Sequence, residues 1–225
     1  MCGRFVLAID PAELQEAFAG VEMPPPEALQ PRYNIAPTQP VAVIPNDGQH
    51  RLDFYVWGLI PSWAKDPKIG NRMINARAET LAEKPSFRAA YKRRRCLIPA
   101  SGFYEWRRAP GGKTKTPMYI GLRSGAPFAL AGLWESWWSP EGDQVLSCTI
   151  ITTSPNELLA PIHNRMPVIL PAAGHDLWLD PGELAADRLQ GLLQPYPADE
   201  MRAYAVSTAV NNPRNDTPEC IQPIP

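Results

Sequence analysis

Histidine is scarce in this 225-residue chain and cysteine nearly so: His50, His163 and His175 are the histidines, and Cys2, Cys96, Cys148 and Cys220 are spread without a CxxC pair. That spacing does not build a structural zinc site, and in a reducing compartment it does not argue for disulfides. No metal and no cofactor are expected. Net charge is almost absent, at -1, so the strongly basic balance that marks many nucleic-acid binders is missing. Long apolar runs are missing as well. Residues 1–9 are too short an apolar run for a secretory signal and carry Arg4 near their start, and no stretch is long enough to span a bilayer. A cytoplasmic protein without membrane contact is the expectation. There is no fixed repeat, low-complexity segment or clear linker. A single domain over residues 1–225 follows, with an apolar fraction of 44% that is ordinary for a packed core.

Proline is plentiful instead, with 27 residues, and it punctuates the chain. Asp10-Pro11-Ala12-Glu13 reads as a helix start: Asp10 is the N-cap, proline takes the first position, Glu13 completes a capping box, and Gly20 ends the helix. A proline-rich loop runs from Met23 to Pro40, and within it 32–38 hold too many turn formers for regular structure. Val41 to Ile44 and Arg51 to Leu59 form a hairpin about Asn46-Asp47-Gly48. Short helices are expected over 76–83 and 86–92, and strands over 96–99, 103–108, 118–122, 128–134 and 145–153. Ser154-Pro155-Asn156-Glu157 reads as a second capped helix start, and 166–170 as a further strand. The pattern predicts an α+β fold: a β-rich single domain with a curved, barrel-like antiparallel sheet and peripheral short helices.

Cys2 stands out by position. Once Met1 is removed, it carries a thiol and an α-amine on one residue, a 1,2-aminothiol able to add to an aldehyde with nitrogen and close a ring with sulfur. The amine titrates at about 8 and the thiol at about 8.5, so both nucleophilic forms are within reach near neutrality. A small buried strand residue is the plain alternative. Glu105 lies in Gly102-Phe103-Tyr104-Glu105-Trp106-Arg107, where strand alternation puts Phe103, Glu105 and Arg107 on one face and Tyr104, Trp106 and Arg108 on the other. A carboxyl among aromatics can have its pKa raised toward acid–base use, or be an ordinary ion-pair partner. His163, in a loop before a strand, is placed as an acid or base or as a structural ring. Asn75 reads as an N-cap and Arg77 as an exposed charge. Trp63, with Trp57 and Tyr55 nearby, offers a stacking platform for unpaired bases or belongs to the core. The run Lys92-Arg93-Arg94-Arg95, with Arg107 and Arg108, suggests a local phosphate-binding surface or a solvated face.

Taken in order, Met1-Cys2-Gly3-Arg4, 33–38, 57–63, Asn75-Ala76-Arg77-Ala78-Glu79, 102–106, His163-Asn164-Arg165-Met166-Pro167 and Val210-Asn211-Asn212-Pro213-Arg214 resemble the SRAP family nearly end to end. These are the SOS-response-associated peptidase, or abasic-site processing, proteins. The resemblance implies a β-rich fold and covalent capture of abasic sites in single-stranded DNA by the mature N-terminal cysteine. It matches Cys2 to the crosslinking position, Asn75 to an asparagine touching that residue and the sugar, Glu105 to the acidic catalyst and His163 to the histidine beside the deoxyribose. Thr152, or Thr153 in the other register, matches a pocket threonine, and Arg4 and Arg77 match phosphate-binding arginines. Single-stranded DNA containing abasic sites is therefore the expected partner of a monomer that associates with the nucleoid when bound. Side lyase activity and self-removal of Met1 are further expectations. An N-terminal-nucleophile amidohydrolase remains the enzymatic alternative, and a non-catalytic nucleic-acid binder the other.

Overall fold

The computed structural model describes residues 2–109, 111–112 and 114–224. In chain order the strands are β1 (Phe5–Leu7), β2 (Arg32–Ile35), β3 (Pro40–Pro45), β4 (Asp53–Trp57), β5 (Asn75–Arg77), β6 (Arg95–Ala100) and β7 (Gly102–Arg108). They continue with β8 (Lys115–Leu122), β9 (Phe128–Trp138), β10 (Gln144–Thr153), β11 (Met166–Pro167), β12 (Ile169–Leu170) and β13 (Met201–Ala205). The short helices are α1 (Pro11–Ala17), α2 (Arg88–Arg93), α3 (His175–Leu179) and α4 (Ala186–Gln190).

Strands β4, β3, β6, β9 and β10 pair in sequence, and β10 pairs with both β9 and β4, so the five close into a barrel. Closure removes the open edges that a flat sheet must otherwise protect. The predicted barrel-like sheet is present, with one difference: β4 and β10 meet in parallel, as do β5 and β10. A second sheet, ordered β13-β8-β7-β1-β2, is antiparallel throughout. The chain crosses between the sheets at Ser101, where β6 ends and β7 begins. Gly102 is required there by space, because a Cβ would lie 2.4 Å from the Tyr119 ring.

The two sheets share one core. Phe5 of β1 meets Trp57 of β4 edge-on at 5.2 Å, and the same cluster takes in Val43, Leu97, Phe103, Ile120, Leu130 and Ile150. Burial of each such side chain contributes about 1.5–3 kcal/mol. On the opposite face of β7, Tyr104 packs with Val6, Tyr119, Val206, Val210 and Cys220 in a second cluster. The expected alternation along β7 therefore holds.

Asp10 caps α1 as expected, its Oδ1 accepting from the Ala12 N–H at 2.7 Å. Other expectations are corrected. Residues 32–35 form β2 rather than a loop, because the Tyr33 and Asn34 N–H groups donate to Asp216 Oδ1 at 2.5 and 2.8 Å while the other edge pairs with β1. Asn75 opens a strand, not a helix, and only a 3₁₀ turn, Ala78–Thr80, follows it. Asn156 Oδ1 does accept from the Leu159 N–H at 2.9 Å, but the segment stops at turns and makes no helix. No helix among the described residues is long and apolar enough to cross a membrane.

Candidate active site at the N-terminal cysteine

Four segments converge on Cys2. The antiparallel register of β1 and β7 pairs Phe5 with Phe103, and the Tyr104 N–H donates to Arg4 O at 3.0 Å. Continuing that register brings Gly3 level with Glu105, so the first residues run alongside the carboxyl. From the barrel, β5 delivers Asn75, whose Nδ2 donates to Cys2 O at 2.8 Å. The strand is placed by β10, with Asn75 opposite Ile150 and Arg77 opposite Thr152. Thr152 sits between Arg77 on one side and Pro167 of β11 on the other. The loop entering β11 carries His163.

Cys2 is fully buried, so the plain structural reading and the chemical one coincide in a single residue. Burial pushes its thiol well above the usual range, and the Glu105 carboxyl pushes it further. Glu105 is 3% exposed. Burial raises its carboxyl above the ordinary value, while His163 nearby pulls the other way. Each group therefore has a reason to hold its proton while buried, and each influences the other's titration. At His163 the Arg165 N–H donates to Nδ1 at 3.0 Å. Arg165 O also lies 3.2 Å from that nitrogen, so the backbone of residue 165 holds the Nδ1 edge of the ring whichever ring nitrogen carries the proton. The Oδ1 atom of Asn75 is buried and has no hydrogen-bond partner among the described residues. Among those residues no group of three or more His, Cys, Asp or Glu side chains is arranged to hold a metal ion.

The remaining expected site residues are distributed around this centre. Thr152 is fully buried and its hydroxyl donates to Ala76 O at 3.4 Å; Thr153 is buried beside Met166. Arg77 is exposed at the end of β5. Arg4 has much of its guanidinium engaged: Nη1 donates to Asn34 Oδ1 and to Val210 O, both at 2.8 Å, and Nη2 to Asn211 O at 3.3 Å. Trp63 is 58% exposed and borders a recess of about 290 Å³ with Lys65, Lys68 and Arg72. Its companions do not form a platform, since Trp57 and Tyr55 are core residues. Gly58 (φ +135°) lets the loop bearing Trp63 fold back, for a Cβ there would meet Gly70 O at 2.7 Å. The basic run is also structural at its end, with Arg95 fully buried and Arg94 paired to Glu135 at 2.7 Å.

Two features were not anticipated from sequence. Asn34 is a buried hub whose Nδ2 donates to Val210 O, Asn212 O and Asn215 O, tying the C-terminal segment to β2 beside Arg4. Arg165 clasps Glu79 with two hydrogen bonds, at 2.6 and 2.9 Å. Apart from Asn215, these residues fall inside the ordered motifs, which was the only available signal.

Fold and site together define a class: a small two-sheet β-barrel protein whose second residue, a cysteine, is enclosed with an elevated carboxyl, an asparagine donor and a histidine. Residues 1–213 match the family described as SOS response associated peptidase (SRAP), and the chain belongs to that family. It is 53% identical over 223 residues to the abasic site processing protein YoqW of Bacillus subtilis (strain 168), covering 99% of each chain. The abasic site processing protein HMCES of Rattus norvegicus is 34% identical across 88% of this chain and 66% of its own. A crystal structure of a Bacteroides thetaiotaomicron protein superposes with a TM-score of 0.89 at 28% identity, covering 99% of this chain and 100% of that one.

Proposed function

We propose that the protein processes abasic sites by capturing their aldehyde covalently at Cys2 in single-stranded DNA. The observation that carries this is the convergence on residue 2: the Asn75 amide holds the Cys2 carbonyl at 2.8 Å while the β1–β7 register sets Glu105 beside it. Removal of Met1 supplies the α-amine. An abasic deoxyribose rests mainly as a closed hemiacetal, and a proton must move between its hydroxyl and ring oxygen before an aldehyde appears. His163 assists at the ring oxygen O4′: as the C1′–O4′ bond breaks, O4′ gains a proton and the C1′ hydroxyl loses one, and the Glu105–His163 pair that relays them ends with as many protons as it began. The Cys2 amine adds to the aldehyde carbon, and Glu105 shuttles the protons that allow one water to leave, giving a Schiff base. The Cys2 sulfur then adds to the imine carbon, its proton passing to nitrogen, and a thiazolidine closes. An imine left unclosed permits β-elimination, which accounts for a side lyase activity.

A thiol held protonated by burial is a poor first nucleophile, so nitrogen attack precedes sulfur attack. Arg77 and the unengaged guanidinium N–H groups of Arg4 supply sequence-tolerant phosphate contacts, and Trp63 a stacking surface. A single strand exposes the sugar that a duplex shields. The protein acts as a monomer at the nucleoid.

The test is incubation of the Met1-processed protein with a single strand bearing one abasic site, followed by a denaturing gel and intact mass. The expected result is a shifted band whose mass is protein plus DNA minus one water, absent for Cys2→Ala. Amide hydrolysis without an adduct would assign the site to an amidohydrolase instead. Binding of equal strength with no adduct from either protein would make it a non-catalytic binder.

A further inference from the structure

The motifs at 75–79 and 163–167 are joined by an ion pair that no step above uses. Arg165 Nη1 donates to Glu79 Oε1 at 2.6 Å and Nη2 to Oε2 at 2.9 Å, a two-pronged contact that fixes the guanidinium plane. The same Nη2 donates to Thr152 O at 2.5 Å and approaches Thr152 Oγ1 at 3.5 Å. One side chain thus spans the turn after β5 and the end of β10. Its own backbone N–H is the group that donates to His163 Nδ1. The Arg165 side chain is 15% exposed and that of Glu79 52%, so the carboxylate closes the clamp from the solvent side. Its position is maintained by charge, since the Arg165 hydrogen bonds hold the Glu79 carboxyl below its ordinary value.

We propose that Glu79 is a positioning residue for the histidine: by fixing Arg165 against Thr152 it sets the backbone of residue 165 that orients the His163 ring. This rests on the capture reaction proposed above. Three parts follow in order. Glu79 fixes the guanidinium, the guanidinium fixes residue 165 over β10, and residue 165 presents its N–H to Nδ1. Asn75 and Arg77 precede the same turn on β5, so the clamp also keeps the asparagine and the histidine in register across β10. The Glu79 end of the pair is open to water, where an ion pair contributes little to global stability, and Arg165 keeps its hydrogen bond to Thr152 O without it. Loss of Glu79 therefore separates positioning from folding.

The test compares wild type, Glu79→Gln and Glu79→Asp in single-turnover capture of an abasic single strand, together with ¹⁵N shifts of the His163 ring. The expected result for Glu79→Gln is a maximal rate lower by about 10- to 100-fold, the scale for a misplaced catalytic group. The DNA concentration at half-saturation should not rise, and the ¹⁵N shifts of the ring should move away from the wild-type values. Glu79→Asp should restore part of the rate and bring the ring shifts back toward wild type. An unchanged rate and unchanged ring shifts in Glu79→Gln would overturn the proposal, as would a loss lying wholly in half-saturation. Absence of adduct from wild type would instead defeat the capture reaction, and the ring shifts would still report on the clamp.

Discussion

Arg95 and Glu105 are both ionisable groups taken out of water on consecutive strands, at 0% and 3% exposure, and they are handled in opposite ways. Arg95 spends each of its five N–H donors on a backbone carbonyl: Nε on Trp178, Nη1 on Tyr91 and Lys92, Nη2 on Asp180 and Gly182. No carboxylate is among these acceptors, so the charge is dispersed over dipoles that draw α2, β6 and the segment after α3 together. Glu105 is instead held where burial works against its charge, near enough to the Cys2 thiol and His163 for their charges to be felt. A group satisfied in its resting charge state builds structure. A group pressed toward the other protonation state is ready to exchange a proton.

The strongest way to break this comparison is Glu105→Gln, which keeps shape and removes proton exchange. Capture of an abasic single strand should slow by about 100- to 10,000-fold, the span for a general acid–base group, while the protein stays folded and binds the strand with affinity changed by less than about threefold. Single-turnover gels and fluorescence anisotropy read the two quantities. Equal losses in both would mean that Glu105 is a structural charge like Arg95. The reciprocal test is Arg95→Met, which leaves five carbonyls without donors. Stability should fall by about 4 kcal/mol, among the larger single-residue effects, as read by denaturant midpoints. Capture per folded molecule should persist under native conditions. A stable Arg95→Met protein that has lost capture would reverse the assignment.

The same contrast explains what the sequence could and could not reveal. Strands β3, β4 and β6–β10 were legible because alternation and turn residues are local signals, and the Asp10 cap was legible for the same reason. The strand character of 32–35 was not, because its partners are Asp216 and the short β1. Nor was that of Asn75–Arg77, which becomes a strand only by parallel pairing with β10. At the site, Cys2, Asn75, Glu105 and His163 could be named from ordered motifs, and the convergence of their segments appears only with the fold. Arg95 was hidden in a basic run that resembles a phosphate-binding surface, since nothing local says that its guanidinium turns inward onto carbonyls. Glu79 and Arg165 are 86 residues apart, and pairing over that separation has no local pattern.

The finest effect concerns stability against pH, and it sharpens the comparison because arginine stays charged throughout the accessible range. Burial raises the folded-state pKa of Glu105 above its unfolded value, so between those two values the folded protein binds more protons than the unfolded chain. The slope of unfolding free energy with pH follows the protons bound by the unfolded state minus those bound by the native state. For Glu105 that difference is negative. Its contribution is most favourable at or below the ordinary glutamate pKa of about 4.3 and declines as pH rises through the raised value, beyond which the cost of a buried carboxylate is constant. Glutamine does not titrate, so subtracting the Glu105→Gln curve from that of wild type cancels the other carboxylates to first order. The expected difference is small at the acid end and grows with pH in favour of the glutamine variant, then levels off. Urea denaturation of both proteins from acid to neutral pH measures it. Parallel curves, or a wild type that gains on the variant as pH rises, would show that the pocket does not press on this carboxyl.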